Sequence, residues 1–203
     1  MLWILVDTFY IIWYNFVVNI IFLKKFLGGI FMKEKIFSWD CETNGLWGKA
    51  FAIGAVLYEN GQESLKFYAR CPIEGQIDPW VKENVIPQME GMVETHNSYE
   101  EMLKAFAKFF LENKADADVI FHMGVPVEAR VIIDMHDMGF IGDWDGAYPW
   151  LDIAGCLKEK GFDCTSVDAY NETHGISVPK PEPGGTHNPL YDSRAAALCY
   201  MNL

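Results

Sequence analysis

The pair Asn60-Gly61 is the feature that most limits what this chain can become. Asn and Gly both tolerate positive φ, and side by side they favour the two-residue turn whose twist suits an antiparallel hairpin. Before the pair runs Phe51-Ala-Ile-Gly-Ala-Val-Leu-Tyr58, apolar throughout and suited to a central strand. After it, Ser64-Leu-Lys-Phe-Tyr-Ala-Arg70 carries the return strand. Upstream, Lys35-Ile-Phe-Ser-Trp39 reads as a short buried strand that ends at Asp40. Strands one to three therefore form an antiparallel meander.

Beyond the hairpin the pattern is α/β. Pro79 to Met92 reads as helix and loop. Ser98-Tyr-Glu-Glu101 is a capping box, with Ser at the N-cap and Glu three positions later. The helix it opens spaces Met102, Leu103, Phe106, Phe109 and Phe110 by three and four, as a buried stripe requires. Asp118-Val-Ile-Phe-His122 is a fourth strand. A turn through Gly124 and Pro126 leads to a helix from Val127 to Met138, with Val131, Ile132 and Met135 inward and Gly139 closing it. A further helix follows Pro149-Trp-Leu-Asp152 and runs through Cys156 and Leu157 to Lys160. Thr165 or Ser166 caps another, from Val167 to His174, ended by Gly175. Pro179 to Gly185 is a Pro/Gly loop of lid-like composition. The last helix spans Tyr191 to Met201, with Ala195, Ala196 and Cys199 on one face.

The 203 residues suffice for one sizeable domain, placed at 32–203. A net charge of −12 argues against broad electrostatic capture of nucleic acid, although bound metal ions can supply positive charge locally. The cysteines Cys41, Cys71, Cys156, Cys164 and Cys199 include no CxxC pair and are odd in number. They read as free thiols of a reducing cytoplasm, with no zinc site indicated. Residues 1–31 differ in composition: Leu2 to Leu23 is almost wholly apolar, followed by Lys24-Lys25. Met32 starts a plausible Met-Lys-Glu-Lys terminus. Leu27-Gly28-Gly29 can be encoded as TTA-GGA-GGT, which contains a ribosome-binding sequence. The expectation is a native start at Met32, with 1–31 as an annotation extension and no membrane partner. The alternatives are a membrane anchor, since the run is long enough to span, and a structured part of the domain.

Asp40-x-Glu42 follows the first strand. Residues two apart in a strand share a face, so the two carboxylates repel one another unless a cation lies between them. Hard oxygen ligands of this kind suit Mg²⁺ or Mn²⁺. Glu128 opens the helix after the fourth strand, and His187-x4-Asp192 spans the loop and the start of the last helix. These are the element ends where an α/β active site belongs. Asp134 rivals Glu128 but falls on another face of the helix, and Asp118 sits at the wrong end of its strand. His96, His136 and His174 read as surface or cap residues, and His122 as a strand-end residue, with contact to the site as its alternative.

Taken together, Asp40-x-Glu42, an acid after a strand-to-helix turn, and His187-Asn-Pro-Leu-Tyr-Asp192-Ser-Arg-Ala-Ala196 resemble the three motifs of the DEDD 3′→5′ exonucleases, in the subclass with histidine (DEDDh). Ser166 to Gly175 resembles the short helix that precedes the third motif. The resemblance covers nearly all of 35–203. The second motif departs from the family: Glu128 stands where Asp is usual, and Pro126 lies in the turn. The resemblance implies a ribonuclease H-like fold, a mixed five-stranded sheet, antiparallel in strands one to three and then parallel, flanked by helices. It implies two Mg²⁺ or Mn²⁺ ions about 4 Å apart. Asp40 would bridge them, Glu42 and Asp192 would hold the ion carrying the nucleophilic water, and Glu128 would serve the other. His187 would take the proton of the attacking water. Thr43 and Leu46 would contact the terminal nucleotide, and Trp47 would stack on a base or fold onto the core.

The implied activity is metal-dependent release of nucleoside 5′-monophosphates from the 3′ end of DNA or RNA, and the acidic charge favours single-stranded or short substrates. The alternative is a catalytically weakened module of the same fold that binds nucleic-acid ends. Oligomeric state is not written in these patterns, and a homodimer is compatible with them.

Overall fold

A computed structural model describes residues 35–146, 148–180 and 187–203. The expectations for 1–31, and most of the Pro179–Gly185 loop, lie outside the described residues. Among those described, no helix is long and apolar enough to cross a membrane.

The hairpin forms as its turn requires. Strand β1 is Lys35–Thr43, β2 is Ala50–Glu59 and β3 is Gln62–Arg70, with Glu59 opposite Gln62 across the turn. Asn60 and Gly61 have φ of 50° and 78°, the positive values this hairpin turn needs. Helix α1 (Pro79–Asn84) and a 3₁₀ turn (Ile86–Met89) lead to α2 (Tyr99–Asn113). Strand β4 (Asp118–Phe121) is followed by α3 (Val127–Asp137), and β5 (Leu151–Asp152) by α4 (Ile153–Glu159). Helices α5 (Val167–Thr173) and α6 (Pro189–Asn202) complete the chain. The sheet order is β3-β2-β1-β4-β5, antiparallel through the first three strands and parallel at β1–β4 and β4–β5.

Alternation along β1 sorts the two cores. Phe37, Trp39 and Cys41 face α2 and α3, while Ile36 faces α4, α5 and α6. The first core is aromatic: Trp39 meets Phe106 at 5.0 Å between ring centroids, and Phe37 meets Phe110 edge-on at 5.6 Å. Such pairs add about 0.5–1.5 kcal/mol beyond area burial, and truncating buried Trp39 to Ala costs about 3–5 kcal/mol. On the opposite face α6 lies flat over the sheet, and its small residues Ala195, Ala196 and Ala197 permit close packing.

Several boundaries differ from the sequence reading. β1 does not stop at Asp40. Its antiparallel ladder with β2 continues to Thr43, with an irregularity at Glu42/Thr43. Helix α6 begins two residues early, because Asn188 caps it through a bond from the Leu190 N–H (3.0 Å) and Pro189 fills the first position. Ser98 caps α2 by accepting from the Glu101 N–H, but Glu101 returns its carboxylate to the N–H of Asn97 and not of Ser98. The box is thus shifted by one residue. The fifth strand has two residues, too few for any periodic pattern.

Candidate active site

β1 is paired unequally on its two sides. Toward β2 the ladder runs to Thr43, but toward β4 it ends at Ser38 opposite Ile120. The Cys41 N–H therefore has no strand to donate to. The Glu128 carboxylate, from the first turn of α3, takes that place with Oε1 3.4 Å from the Cys41 nitrogen. Glu128 is only 3% exposed. Burial, reinforced by the charges of Glu42 and Asp152, pushes its carboxyl up to about 7, although the backbone N–H groups oppose the rise. The Cys41 thiol, 3.9 Å from the same oxygen, is driven well above its ordinary value by burial and then by Glu128. A buried thiol in an acidic field is a poor nucleophile.

On the opposite face of β1, Asp40 and Glu42 meet the start of α6. Gly54 makes this approach workable. It lies opposite Asp40 in the β1–β2 register, and a Cβ there would stand 2.3 Å from Leu190 N and from Pro189 C. With no side chain at 54, the first turn of α6 rests directly on β2, and Ser193 Oγ fastens it by donating to the Gly54 carbonyl (2.9 Å). Asp192 is thereby delivered to β1. One ligand atom from each of Asp40, Glu42 and Asp192 lies within 4.8 Å of the others. His187 precedes the helix in a left-handed conformation (φ 62°), and its Nδ1 is 3.5 Å from Glu42 Oε1.

The electrostatics follow from this crowding. Burial, then the charges of Asp192, Glu128 and Glu42, hold the Asp40 carboxyl well above its usual range. Asp192 is raised too, by burial and then by Glu42, with His187 opposing. The interaction with Glu42 raises the His187 imidazole despite its partial burial. The four acids and His187 line one cleft of about 530 Å³ whose lining contains no Lys or Arg. Three converging carboxylates with no Lys or Arg in the cleft fit a hard divalent ion, which would offset the burial and the mutual repulsion of Asp40 and Asp192.

The structure thus gathers Asp40, Glu42, Glu128, His187 and Asp192 in one place. Thr43, Leu46 and Trp47 do not line the cleft. Thr43 Oγ1 donates to the Gly45 carbonyl, and Leu46 and Trp47 are exposed at 59% and 81%. The exposure of Trp47 rules out folding onto the core. Asp134 is spent elsewhere, accepting from Tyr99 OH and Arg130 Nε, both at 2.7 Å. Asp118 accepts from Tyr200 OH at the far end of β4. His136 pairs with Asp143 on the surface and His174 ends α5, as expected of them.

Sequence reasoning missed other contributors. Trp80, on α1, sets its ring nearly perpendicular to His187 with centroids 6.1 Å apart. Asp168, at the start of α5, enters the cleft and accepts from Tyr191 OH (3.0 Å). Met123, at φ 58°, lines the cleft too, held by its N–H to the Asp152 carboxylate (3.0 Å). His122, already singled out at the strand end, also lines it and ties the β4 end to the Cys164 carbonyl (2.9 Å). The capping Asp78-Pro79 announced the helix that carries Trp80, but no local signal joins residue 80 to residue 187.

No protein-family model matches the chain, and no curated protein does. Solved structures do. Exonuclease X in complex with 5′-overhanging duplex DNA aligns at a TM-score of 0.57 and 18% identity, over 82% of this chain and 89% of its own. The Mg²⁺- and Mn²⁺-bound form of S. pombe Pop2p aligns at 0.62 and 13% identity, over 82% and 81%. At these identities the likeness is one of fold. The mixed five-stranded sheet with flanking helices is ribonuclease H-like, as in both of these structures.

Proposed function

We propose that this chain is a metal-dependent 3′→5′ exonuclease of the DEDD type with histidine, acting on single-stranded or short DNA or RNA and releasing nucleoside 5′-monophosphates. The observation that carries this reading is the convergence of Asp40, Glu42 and Asp192 within 4.8 Å, with His187 beside Glu42. Two structures of the same fold support it: one is an exonuclease with DNA bound, the other carries Mg²⁺ and Mn²⁺.

Asp40, Glu42 and Asp192 would hold Mg²⁺ or Mn²⁺, and Glu128 would contribute to a second ion. Bound there, such ions lower the pKa of water and offset charge on the leaving 3′-oxygen. The chain's own groups do the rest. A proton on His187 Nδ1, directed at Glu42, leaves Nε2 as the acceptor for the proton of the attacking water. In the metal-free chain Glu42 holds the His187 imidazole above its ordinary range, an effect that a cation on Glu42 would weaken. Trp80 offers an exposed aromatic face beside His187, on which a base can stack. Thr43, Leu46 and Trp47 would contact the terminal nucleotide from the loop beyond Glu42.

The test uses the purified chain with end-labelled single-stranded DNA and RNA, in Mn²⁺ or in EDTA. Mononucleotide release that requires the metal and vanishes in Asp40→Asn is the expected result. Intact substrate in every condition refutes the proposal. One observation favours a second reading: Glu128 is committed to the Cys41 N–H. A chain weakened in this way would bind 3′ ends without turnover, and the same assay, run with a binding measurement, separates the two.

A further inference from the structure

A second cleft opens on the same face of the sheet. Gly54 pairs with Asp40 on one side and with Tyr68 on the other. Tyr68 is thus two strands from Asp40, about 10 Å, and its side chain leaves the same face. The first turn of α6 rests over Gly54 and forms a ridge between the two positions. His187 and Asp192 face the Asp40 cleft, whereas Asn188, Leu190 and Arg194 line the other. This second cleft, about 570 Å³, is as large as the first.

Its lining differs in kind. The charged groups are Lys66, Lys180 and Arg194, with no carboxylate among them. Arg194 is neutralised by a two-point ion pair with Glu63 (2.6 and 2.7 Å). Lys66 and Lys180 are exposed, and among the described residues neither has a carboxylate within ion-pair distance; the acids beside the lining are Glu63, held by Arg194, and Glu94, near Tyr68. Apolar surface adjoins the lysines: Val93, Met92, Leu190 and the ring of Tyr68. In a chain of charge −12, a groove lined by cations and aromatic or aliphatic surface suits a polyanion with flat apolar groups. That is the chemistry of a single nucleic-acid strand.

We propose that this groove holds the single strand upstream of the nucleotide in the Asp40 cleft, with phosphates on Lys66 and Lys180 and bases against Val93 and Tyr68. The proposal rests on the nuclease reading. The 10 Å from Asp40 to Tyr68 corresponds to two or three nucleotides at a rise of about 3.4 Å or more each. Substrates shorter than a trinucleotide do not reach the groove, and longer ones gain from it.

The experiment compares the full chain with Lys66→Glu, Lys180→Glu and the double variant in Mn²⁺. Substrates are oligothymidylates and oligouridylates from dinucleotide to octanucleotide, together with thymidine 5′-p-nitrophenyl phosphate. The wild type should show kcat/KM rising about tenfold from dinucleotide to octanucleotide. The double variant should lose that rise, and the slope of log affinity against log salt should shrink by about 1.4, from two phosphate contacts at about 0.7 each. A length dependence that survives the double variant overturns the proposal. So does an equal loss on the p-nitrophenyl ester and the octanucleotide, because that reports damage to the Asp40 cleft. Should the wild type hydrolyse nothing, the nuclease reading fails, and fluorescence anisotropy with a labelled octanucleotide decides the groove. Binding weakened about tenfold or more by the double variant retains it as a nucleic-acid site. Absence of binding overturns it and leaves the groove to a protein partner.

Discussion

Gly54→Ala tests the geometry on which the whole site depends. The added methyl would lie 2.3 Å from two backbone atoms of Pro189 and Leu190 and 2.5 Å from the Pro189 carbonyl oxygen. Non-bonded heavy atoms settle at about 3.5–4.0 Å, so the first turn of α6 must lift from β2 by about 1 Å. Backbone on both sides leaves no flexible side chain to yield. Overpacking of this kind costs about 1–3 kcal/mol. The functional effect should be larger. Two oxygens on one Mg²⁺ at about 2.1 Å each are at most about 4.2 Å apart. The Asp40, Glu42 and Asp192 ligand atoms are now within 4.8 Å, so a 1 Å shift of Asp192 takes it out of shared coordination. Mn²⁺ affinity, read by titration calorimetry, should fall at least about tenfold, and kcat/KM about a hundredfold. Thermal unfolding should show a small loss in EDTA and a much larger one in Mn²⁺, because bound metal stabilises only in proportion to its affinity. Ser193→Ala is a gentler probe of the same seat, removing one hydrogen bond worth about 1 kcal/mol. Wild-type metal affinity and rate in a folded Gly54→Ala protein would refute the argument.

Further predictions concern charge and stacking. Asp40→Asn should abolish metal-dependent hydrolysis yet raise the melting temperature in EDTA at pH 8, since it removes one of the crowded charges; a lower melting temperature contradicts the repulsion argument. Folding raises the Glu128 carboxyl from 4.5 to about 7, so the folded state binds more protons than the unfolded one across that window. Stability in EDTA should therefore be greatest below about pH 4.5 as far as this group is concerned, and fall by on the order of 3 kcal/mol as pH rises through 7. Mg²⁺ should flatten the fall in a calorimetric pH series, and an identical slope with and without Mg²⁺ would deny the metal site. Glu128→Gln keeps an acceptor for the Cys41 N–H, so it should fold normally while losing about a hundredfold in rate; an unaltered rate would make Glu128 a backbone cap only. Trp80→Ala should raise KM by about tenfold, within the ~1–3 kcal/mol of one base stack, and by more than Trp47→Ala does. The reverse order would return the stacking role to Trp47.

What could be read from the sequence was what local chemistry determines. Asn60-Gly61 specified the hairpin, Ser98 and Ser166 marked helix starts, and Gly139 and Gly175 marked ends. Asp40-x-Glu42 and His187-x4-Asp192 fell on one site because strand alternation and a helix start fix where those side chains stand. Misplaced elements lacked such signals or carried signals that competed. β5 is two residues long. The Asn188-Pro189 start of α6 precedes Tyr191 by two residues, with Asp192 in the same first turn. Glu128 reaching Cys41, Trp80 facing His187 and Gly54 admitting α6 all join residues distant in sequence. No periodicity encodes such contacts.

Those distant contacts share one cause. β1 is completed by β2 through Thr43 but abandoned by β4 after Ser38, which leaves the Cys41 N–H without a strand acceptor on that side. A chain selected for stability alone would extend β4 or fill the gap with apolar side chains. Here the gap is closed by a carboxylate, and three more carboxylates and a histidine gather in the same cleft. Burial makes Asp40, Glu128 and Asp192 harder to ionise, and each neighbouring carboxylate adds to that. A cation turns the same repulsion into binding energy. The more strongly the empty site disfavours its own charges, the more of the folded chain's stability depends on metal. Chelation should therefore lower the melting temperature most at the high pH where these carboxylates are fully ionised.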